Sequence, residues 1–117
     1  MTDKIVANIL EGCPYSINAE KLLNKYNADY KKVDVNYMNK YDKEFEIMKT
    51  FPQIYLDSKD GKKYILGGYD NLKSFYDNYE TIEKSNSLKV LDTLGHVDGR
   101  KSIILKMALN LLNGLKR

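Results

Sequence analysis

The residue of this chain best suited to chemistry is Cys13, its only cysteine, which lies in the segment Cys13-Pro14-Tyr15-Ser16. An apolar stretch precedes it and a helical pattern follows it, so the thiol is expected where a helix begins. The unpaired N–H groups and the positive dipole end of a helix favour the thiolate, which is the nucleophilic form of cysteine. Pro14 suits the first helical turn, because the N–H that it lacks has no helical partner there. Cys13 is therefore predicted to be a nucleophile, and the competing interpretation is a buried small apolar side chain.

The elements that must position Cys13 follow from the spacing of apolar residues. Strand, helix and strand succeed one another within residues 4–35, which predicts a βαβ unit with parallel pairing and a right-handed crossover. Turn residues at 57–61 join two later strands and predict a hairpin. The patterns predict strands over 4–10, 30–35, 53–56 and 63–66 and helices over 15–26, 38–49, 72–79 and 100–114, with Asp70 or Asn71 as the cap of the third helix.

Composition limits the class of protein. The chain has 117 residues, of which 43% are hydrophobic and 30% charged, so one folded domain with a modest core is expected. Apolar runs long enough for a membrane-spanning helix or a secretory signal are not found. A single cysteine cannot form an internal disulfide. We therefore expect the protein in a reducing, cytoplasmic compartment.

The positive charge is concentrated at the C-terminus. Residues 99–117 carry five Lys and Arg and no acid, whereas the rest of the chain carries 14 basic and 16 acidic residues. A nucleic-acid partner for the whole domain is therefore not expected. We predict a catalytic domain over 1–84 and a helical extension over 85–117. Packing of the extension onto that domain is the favoured interpretation, ahead of dimerisation through its apolar stripe, and membrane binding is the least favoured.

Several motifs together resemble the glutaredoxin family. Cys13-Pro14-Tyr15-Ser16 resembles its CPYC or CPYS active-site turn, and the segment 50–55 (TFPQIY) resembles its TVPQ-(I/V)-F segment, whose proline is cis. The segment 67–72 (GGYDNL) resembles its glutathione-contacting turn, and 33–35 (VDV) matches its second strand. The motifs occur in family order over residues 4 to about 82. The resemblance implies a thioredoxin-like three-layer α/β sandwich with a four-stranded mixed sheet, here followed by a C-terminal helical extension.

The resemblance also implies an activity, a glutathione-dependent thiol–disulfide oxidoreductase. Cys13 would attack a mixed disulfide and Pro14 would support it at the helix start. Serine at position 16 cannot resolve the intermediate, so a second glutathione would do so in a monothiol mechanism. The Ser16 hydroxyl is a candidate hydrogen-bond donor to the sulfur. The partners implied are glutathione, as co-substrate, and glutathionylated or disulfide-bearing proteins, with a monomer expected and a dimer as the alternative.

The glutathione site implied by the resemblance has two parts. The cis peptide before Pro52 would turn the Phe51 backbone toward the sulfur, where it pairs with the cysteinyl part of glutathione. The helix after Gly68 would bind the γ-glutamyl carboxylate, and the Asp70 side chain would bind its ammonium group. Tyr15 begins the apolar stripe of the first helix, so both a core position and a place at the rim of the site are open. The predicted glutathione contacts are Tyr15, Phe51, Pro52, Gly68, Tyr69, Asp70 and Asn71, with Pro14, Ser16 and Thr50 in support and no metal ligand.

One position departs from the family pattern. Glutaredoxins usually carry Lys or Arg three residues before the active-site cysteine, and this chain has Leu10 there, followed by Glu11. A cation that would stabilise the thiolate and bind the glycyl carboxylate of glutathione is therefore missing. We expect Lys43 or Lys49 to supply it from the predicted helix over 38–49.

Two other functions remain open from the sequence. A single-cysteine glutaredoxin can carry a [2Fe–2S] cluster between two chains, each giving one cysteine and one glutathione. The second possibility is a thioredoxin-like interaction module without activity. The only histidine, His96, is predicted to be a solvated loop residue, because one Cys and one His cannot build a zinc site within this chain.

Overall fold

The structure is a computed structural model that describes residues 3–81 and 84–112. Strands and α-helices alternate in the first part of the chain, and short-range helical structure dominates the second. The strands are β1 (Lys4–Leu10), β2 (Tyr30–Val35), β3 (Gln53–Asp57) and β4 (Lys63–Gly67), the α-helices are α1 (Pro14–Lys25), α2 (Tyr69–Thr81) and α3 (Lys101–Leu111), and 3-10 helices span Lys43–Phe45 and Lys84–Leu94.

The four strands form one mixed sheet in the order β2-β1-β3-β4. β1 and β2 are parallel, with Ile5 opposite Tyr30, whereas β3 is antiparallel to both β1 and β4. The predicted βαβ unit and the predicted hairpin are therefore confirmed. This order, with α1 crossing between two parallel strands and a terminal hairpin, is the thioredoxin-like arrangement.

The two faces of the sheet are covered in different ways. Alternate residues of a strand point to opposite faces, and Ile5, Ala7 and Ile9 of β1 belong to the large apolar cluster. Helices α1, α2 and α3 all contribute to that cluster, through Leu23, Leu72 and Met107 among others. On the opposite face Asn8 donates to Gln53 across the sheet, and Gln53 in turn donates to the carbonyls of Phe45 and Met48 at 2.7 and 3.0 Å. Buried amides therefore fasten the segment before β3 onto that face.

The predicted helix over 38–49 is wrong. The segment consists of turns and the short 3-10 helix Lys43–Phe45. The side chains of Asn36 and Asn39 each accept a hydrogen bond from the other's backbone. Asn36 Oδ1 accepts from the N–H of Asn39 at 3.0 Å, and Asn39 Oδ1 accepts from the N–H of Asn36 at 2.8 Å. Such side-chain bonds compete with helical ones. Of the apolar residues whose spacing suggested a helix, Phe45 is buried but Tyr41 is 81% exposed, so no helical face is packed.

The cap predicted for α2 is also wrong. The helix begins at Tyr69, and the N–H of Leu72 donates to the carbonyl of Gly68 at 3.2 Å. Asp70 and Asn71 therefore lie in its first turn instead of preceding it. The predicted apolar face is confirmed, because Leu72 and the three aromatic residues Phe75, Tyr76 and Tyr79 are buried.

The region after α2 is more ordered than its polar sequence indicated. Val90, Leu94 and Val97 are buried in the large cluster together with α3. Tyr76 donates to the carbonyl of Leu111 at 2.7 Å, and burial raises its pKa well above the usual range. Thus α3 packs on the same core as the sheet, while the predicted boundary between 84 and 85 stays a prediction. Residues 113 and 114 of the predicted last helix lie outside the described residues.

A half-buried acid, Asp3, joins α3 to the start of β1. Asp3 accepts from the N–H of Lys59 at 2.9 Å and from the Ser58 hydroxyl at 3.1 Å, and it pairs with Lys106 at 2.9 Å. The hydrogen bond from Lys59 and the nearby Lys106 lower the pKa of Asp3 to about 2. Within residues 3–81 and 84–112, no helix is long and apolar enough to cross a membrane.

Candidate active site

Cys13 is the residue that precedes α1. Its backbone is extended, with φ −83° and ψ 120°, and its carbonyl accepts from the N–H of Ile17 at 2.9 Å. Pro14 occupies the first helical position, as predicted. The side chain of Cys13 is half-buried, so the interpretation as a sealed apolar residue does not hold. Its sulfur lies at the N-terminus of a 12-residue helix and remains accessible to a reactant.

Ser16 is fully buried beneath the active-site turn. Its Oγ accepts a hydrogen bond from the N–H of Leu10 at 3.1 Å, which ties the first turn of α1 to the end of β1. The predicted donation to the sulfur is not among its described contacts. We conclude that Ser16 stabilises the strand-to-helix turn that presents Cys13.

The Phe51–Pro52 peptide bond is cis, as the resemblance implied. The Phe51 carbonyl oxygen lies 3.9 Å from the Cys13 sulfur. The Phe51 ring meets that of Phe45 edge-on, with 6.1 Å between centroids. Packing on one side of Phe51 therefore holds its backbone beside the sulfur.

A groove of about 320 Å³ lies on one side of Phe51, and we call it the α2 groove. The rings of Tyr15 and Tyr69 approach across it with 6.1 Å between centroids. Tyr15 is 60% exposed, so its core interpretation is wrong and its place at the rim is observed. Pro14, Ser16 and Pro52 do not line this groove. Its lining residues are Tyr15, Met48, Thr50, Phe51, Gly68, Tyr69, Asp70 and Asn71.

A second hollow of about 650 Å³ lies on the other side of Phe51, and we call it the Leu10 cavity. Cys13 lines it together with Leu10, Lys40 and Lys49. Two lysines were expected to replace the missing cation. Lys49 lines the cavity, and Lys43 does not. Met48, Thr50 and Phe51 line both hollows, so the two adjoin along these residues, and Cys13 lines the Leu10 cavity but not the α2 groove.

Lys40 is a site residue that the sequence interpretation missed. Its ammonium nitrogen lies 4.6 Å from the ring centroid of Tyr37 and 4.9 Å from that of Tyr41. The asparagine-bonded turn at 36–39 carries it there, in place of the predicted helix. The sequence signal was the Asn36 and Asn39 pair, which favours a turn over a helix.

His96 is exposed, as predicted, but it is not merely solvated. Its Nε2 lies 2.5 Å from the carbonyl oxygen of Leu66 and 3.3 Å from Nδ2 of Asn71. No local sequence pattern predicts this contact, because Leu66 and His96 are 30 residues apart. Within the described parts of the chain, no group of three or more His, Cys, Asp or Glu side chains is arranged to hold a metal ion. The cluster-carrier alternative, which needs a second chain and two glutathiones, stays a prediction.

Comparisons with known proteins identify the family of this chain. The glutaredoxin family model matches residues 3–60. Glutaredoxin 1 of Rickettsia prowazekii (strain Madrid E) is 36% identical over 73 residues, which cover 58% of this chain and 72% of that protein. The chain belongs to the glutaredoxin family. Glutaredoxin 1 of Rickettsia typhi (strain ATCC VR-144 / Wilmington) is likewise 36% identical over 73 residues, covering 58% of this chain and 65% of that glutaredoxin.

Among solved structures, glutaredoxin 1 from Francisella tularensis, complexed with cacodylate, aligns with a TM-score of 0.48 at 20% identity. The alignment covers 69% of this chain and all of that one. Glutaredoxins are thiol–disulfide oxidoreductases, and membership of the family makes this protein one. The family match ends at residue 60, before the part of the α2 groove at residues 68–71 and before the C-terminal extension.

Proposed function

We propose that the protein reduces glutathione mixed disulfides by a monothiol mechanism, with Cys13 as nucleophile. The observation that carries the proposal is the position of half-buried Cys13, which lines the Leu10 cavity with its sulfur 3.9 Å from the carbonyl oxygen of Phe51, a residue that also lines the α2 groove. A glutathione moiety that spans both hollows along Phe51 would bring its sulfur next to the sulfur of Cys13.

The reaction consists of two thiol–disulfide exchanges. The Cys13 thiolate attacks the glutathione sulfur of a mixed disulfide, so that a Cys13–glutathione disulfide forms and the partner leaves as a thiolate. A second glutathione thiolate then attacks the glutathione sulfur of that intermediate, which releases glutathione disulfide and restores the Cys13 thiolate. Both steps are exchanges that conserve electrons: over the two, the incoming glutathione thiolate is oxidised to a disulfide sulfur while the partner's sulfur is reduced to a thiolate. Ser16 plays no covalent part in either step.

The γ-glutamyl end of glutathione is assigned to the α2 groove. A helix N-terminus binds carboxylates, because its first N–H groups have no helical partner and its dipole is positive there. The N–H groups of Asp70 and Asn71 lie in the first turn of the 13-residue α2. The exposed carboxylate of Asp70 is the complement for the ammonium group of the same γ-glutamyl moiety. The Phe51 backbone pairs with the cysteinyl residue between the two ends.

The glycyl end is assigned to the Leu10 cavity. Lys40 and Lys49 line it with one acid, Glu46, and the two lysines would replace the cation that Leu10 does not provide. This revises the expectation from sequence, in which Lys43 was the alternative to Lys49. The tyrosine rings on both sides of Lys40 hold its ammonium group near the cavity without neutralising its charge.

A glutathione-coupled assay on a glutathionylated peptide tests the proposal. Wild-type protein is expected to turn over and to show a Cys13–glutathione adduct by mass spectrometry when the second glutathione is withheld. Cys13→Ser is expected to give only the uncatalysed rate and no adduct, while Lys43→Met serves as a control on the same face of the protein. Equal rates for wild type and Cys13→Ser would end the proposal.

A further inference from the structure

Asn71 forms a wall shared by two hollows. On one side is the α2 groove, and on the other is a larger cavity of about 950 Å³ that runs along β4. The segment after residue 94 forms the outer side of this larger cavity, with His96 and Arg100 among its lining residues. The C-terminal extension therefore reaches the back of the turn that we assign to the γ-glutamyl carboxylate.

The contact at this point is a directed hydrogen bond. A carbonyl oxygen can only accept, so the 2.5 Å approach of His96 Nε2 to the Leu66 carbonyl requires that this nitrogen carry its proton. The Nδ2 of Asn71 lies 3.3 Å from the same nitrogen, and because both nitrogens then carry hydrogen this approach is a packing contact and not a second hydrogen bond. One imidazole thus contacts both the last part of β4 and the first turn of α2, which are the two ends of the Gly67-Gly68 reversal.

Gly67 makes room for this arrangement. Its φ is +131°, and a Cβ placed on it would lie 2.3 Å from Oδ1 of Asn71. The Asn71 amide therefore fills the space where a side chain of residue 67 would be, with His96 against its nitrogen. The backbone N–H groups of Asp70 and Asn71 come directly after this reversal, in the first turn of α2.

The backbone of His96 is itself held in place. Leu94 and Val97, on either side of it, are buried, and the N–H of Val97 donates to the carbonyl of Leu94 at 2.9 Å. The imidazole is therefore presented to Leu66 from a fixed turn, and little further conformational freedom is lost when it binds.

We propose that His96 is a positioning residue for glutathione, which acts by holding the Gly67–Asn71 turn in the orientation that binds the γ-glutamyl carboxylate. The inference rests on the proposed function. His96 itself touches no substrate, since it lies on the far side of Asn71 from the α2 groove. The extension would then contribute to substrate affinity as well as to packing.

Two variants of equal length separate positioning from packing. His96→Gln keeps an N–H donor at the reach of the imidazole Nε2, whereas His96→Met has a similar length but no donor. Asp92→Asn, which changes an exposed side chain of the same segment, is the control. Each is measured for KM and kcat on a glutathionylated peptide, for the rate of Cys13 alkylation by iodoacetamide, and for its thermal midpoint.

We expect His96→Met to raise KM about fivefold with kcat retained, which is the effect of one neutral hydrogen bond. His96→Gln should restore KM toward the wild-type value, and alkylation of Cys13, which does not use the α2 groove, should keep its rate in both. A wild-type KM in a folded His96→Met would overturn the inference, and so would equal KM increases in the Gln and Met variants. An inactive wild type would instead refute the proposed function, so the two failures are distinguishable.

Discussion

The two hollows beside Cys13 are built in opposite ways. The α2 groove is formed by backbone at a glycine turn and by the first turn of a 13-residue helix whose apolar face is buried. The Leu10 cavity is bordered by turns and a three-residue 3-10 helix, and its cations are carried on flexible side chains. Under the proposed function, the α2 groove would bind glutathione through groups whose position the fold fixes, and the Leu10 cavity would bind it through charges that tolerate movement.

This difference indicates how the site divides its tasks. Backbone N–H groups on a packed helix lose little freedom on binding, so the α2 groove is suited to orienting the γ-glutamyl moiety and hence the disulfide. Lysines on the opposite side attract the glycyl carboxylate over a longer distance and with less geometric demand. We therefore expect specificity to depend on the α2 groove and attraction of the anion to depend on the Leu10 cavity.

The largest effect on activity is expected from a change at the Cys13 sulfur. Cys13→Ser replaces the thiolate by a hydroxyl that stays protonated at neutral pH, and activity should fall by about three orders of magnitude or more, to the uncatalysed rate. The glutathione-coupled assay measures this loss. Binding of glutathione, followed by calorimetry, should survive the change, because the α2 groove is unaltered and the lining of the Leu10 cavity changes by a single atom. A variant that lost binding together with turnover would show that the sulfur, and not the hollows, provides the affinity.

The sequence predicted the α2 groove because its parts are local. The reversal at Gly67-Gly68, where the α2 helix begins, is visible in adjacent residues, since only particular residue types suit those backbone positions, and the same holds for the Cys13-Pro14 turn that presents the sulfur next to it. Their meeting in space followed from the parallel order of β1 and β2 and from the hairpin of β3 and β4, which the apolar runs also predicted. The resemblance then supplied the role of each turn.

The Leu10 cavity was predicted less well because helical spacing at 41, 45 and 48 concealed a turn. Only Phe45 of that set is buried, so the spacing was not a packed face. Lys40, which lies over the rings of Tyr37 and Tyr41, was missed for the same reason. The contact of His96 was missed on different grounds, because it joins residues that are 30 positions apart and no local feature marks either one.

The packing of Asn71 against Gly67, beside the α2 groove, can be tested by substitution of Gly67. Gly67→Ala places a methyl group at φ +131° and against the Asn71 amide, so the free energy of unfolding should fall by about 2 kcal/mol. Gly61→Ala is a matched control, since its φ is +88° but no atom lies within 4 Å of the added carbon. Denaturant unfolding measures both. If Gly67→Ala and Gly61→Ala lowered the free energy of unfolding equally, backbone strain would account for the whole effect and the contact with Asn71 would contribute nothing.

Asp70 tests the assignment of the γ-glutamyl end. Asp70→Ala removes the carboxylate that faces the ammonium group, and KM for a glutathionylated peptide should rise about tenfold, as for a lost hydrogen bond between charged groups. Steady-state kinetics measure the change. Asp77→Ala removes another carboxylate of α2, one that pairs with Lys73, and should leave KM as it was. If both variants raised KM alike, the net charge of the helix would be responsible and not contact at the groove.

The smallest effects are expected on the opposite side, where two lysines share one anion. Lys40→Met and Lys49→Met keep the aliphatic stem but remove the charge, and each should raise KM about threefold, which is the range of solvent-exposed ion pairs. The increases should shrink at high salt, because screening acts on exposed charges, whereas the effect of Asp70→Ala should persist. Lys43→Met changes a neighbouring lysine that does not line the cavity. A KM increase in Lys43→Met equal to the other two would mean that the cavity gathers anions by net charge, and the assignment of the glycyl carboxylate to Lys40 and Lys49 would be withdrawn.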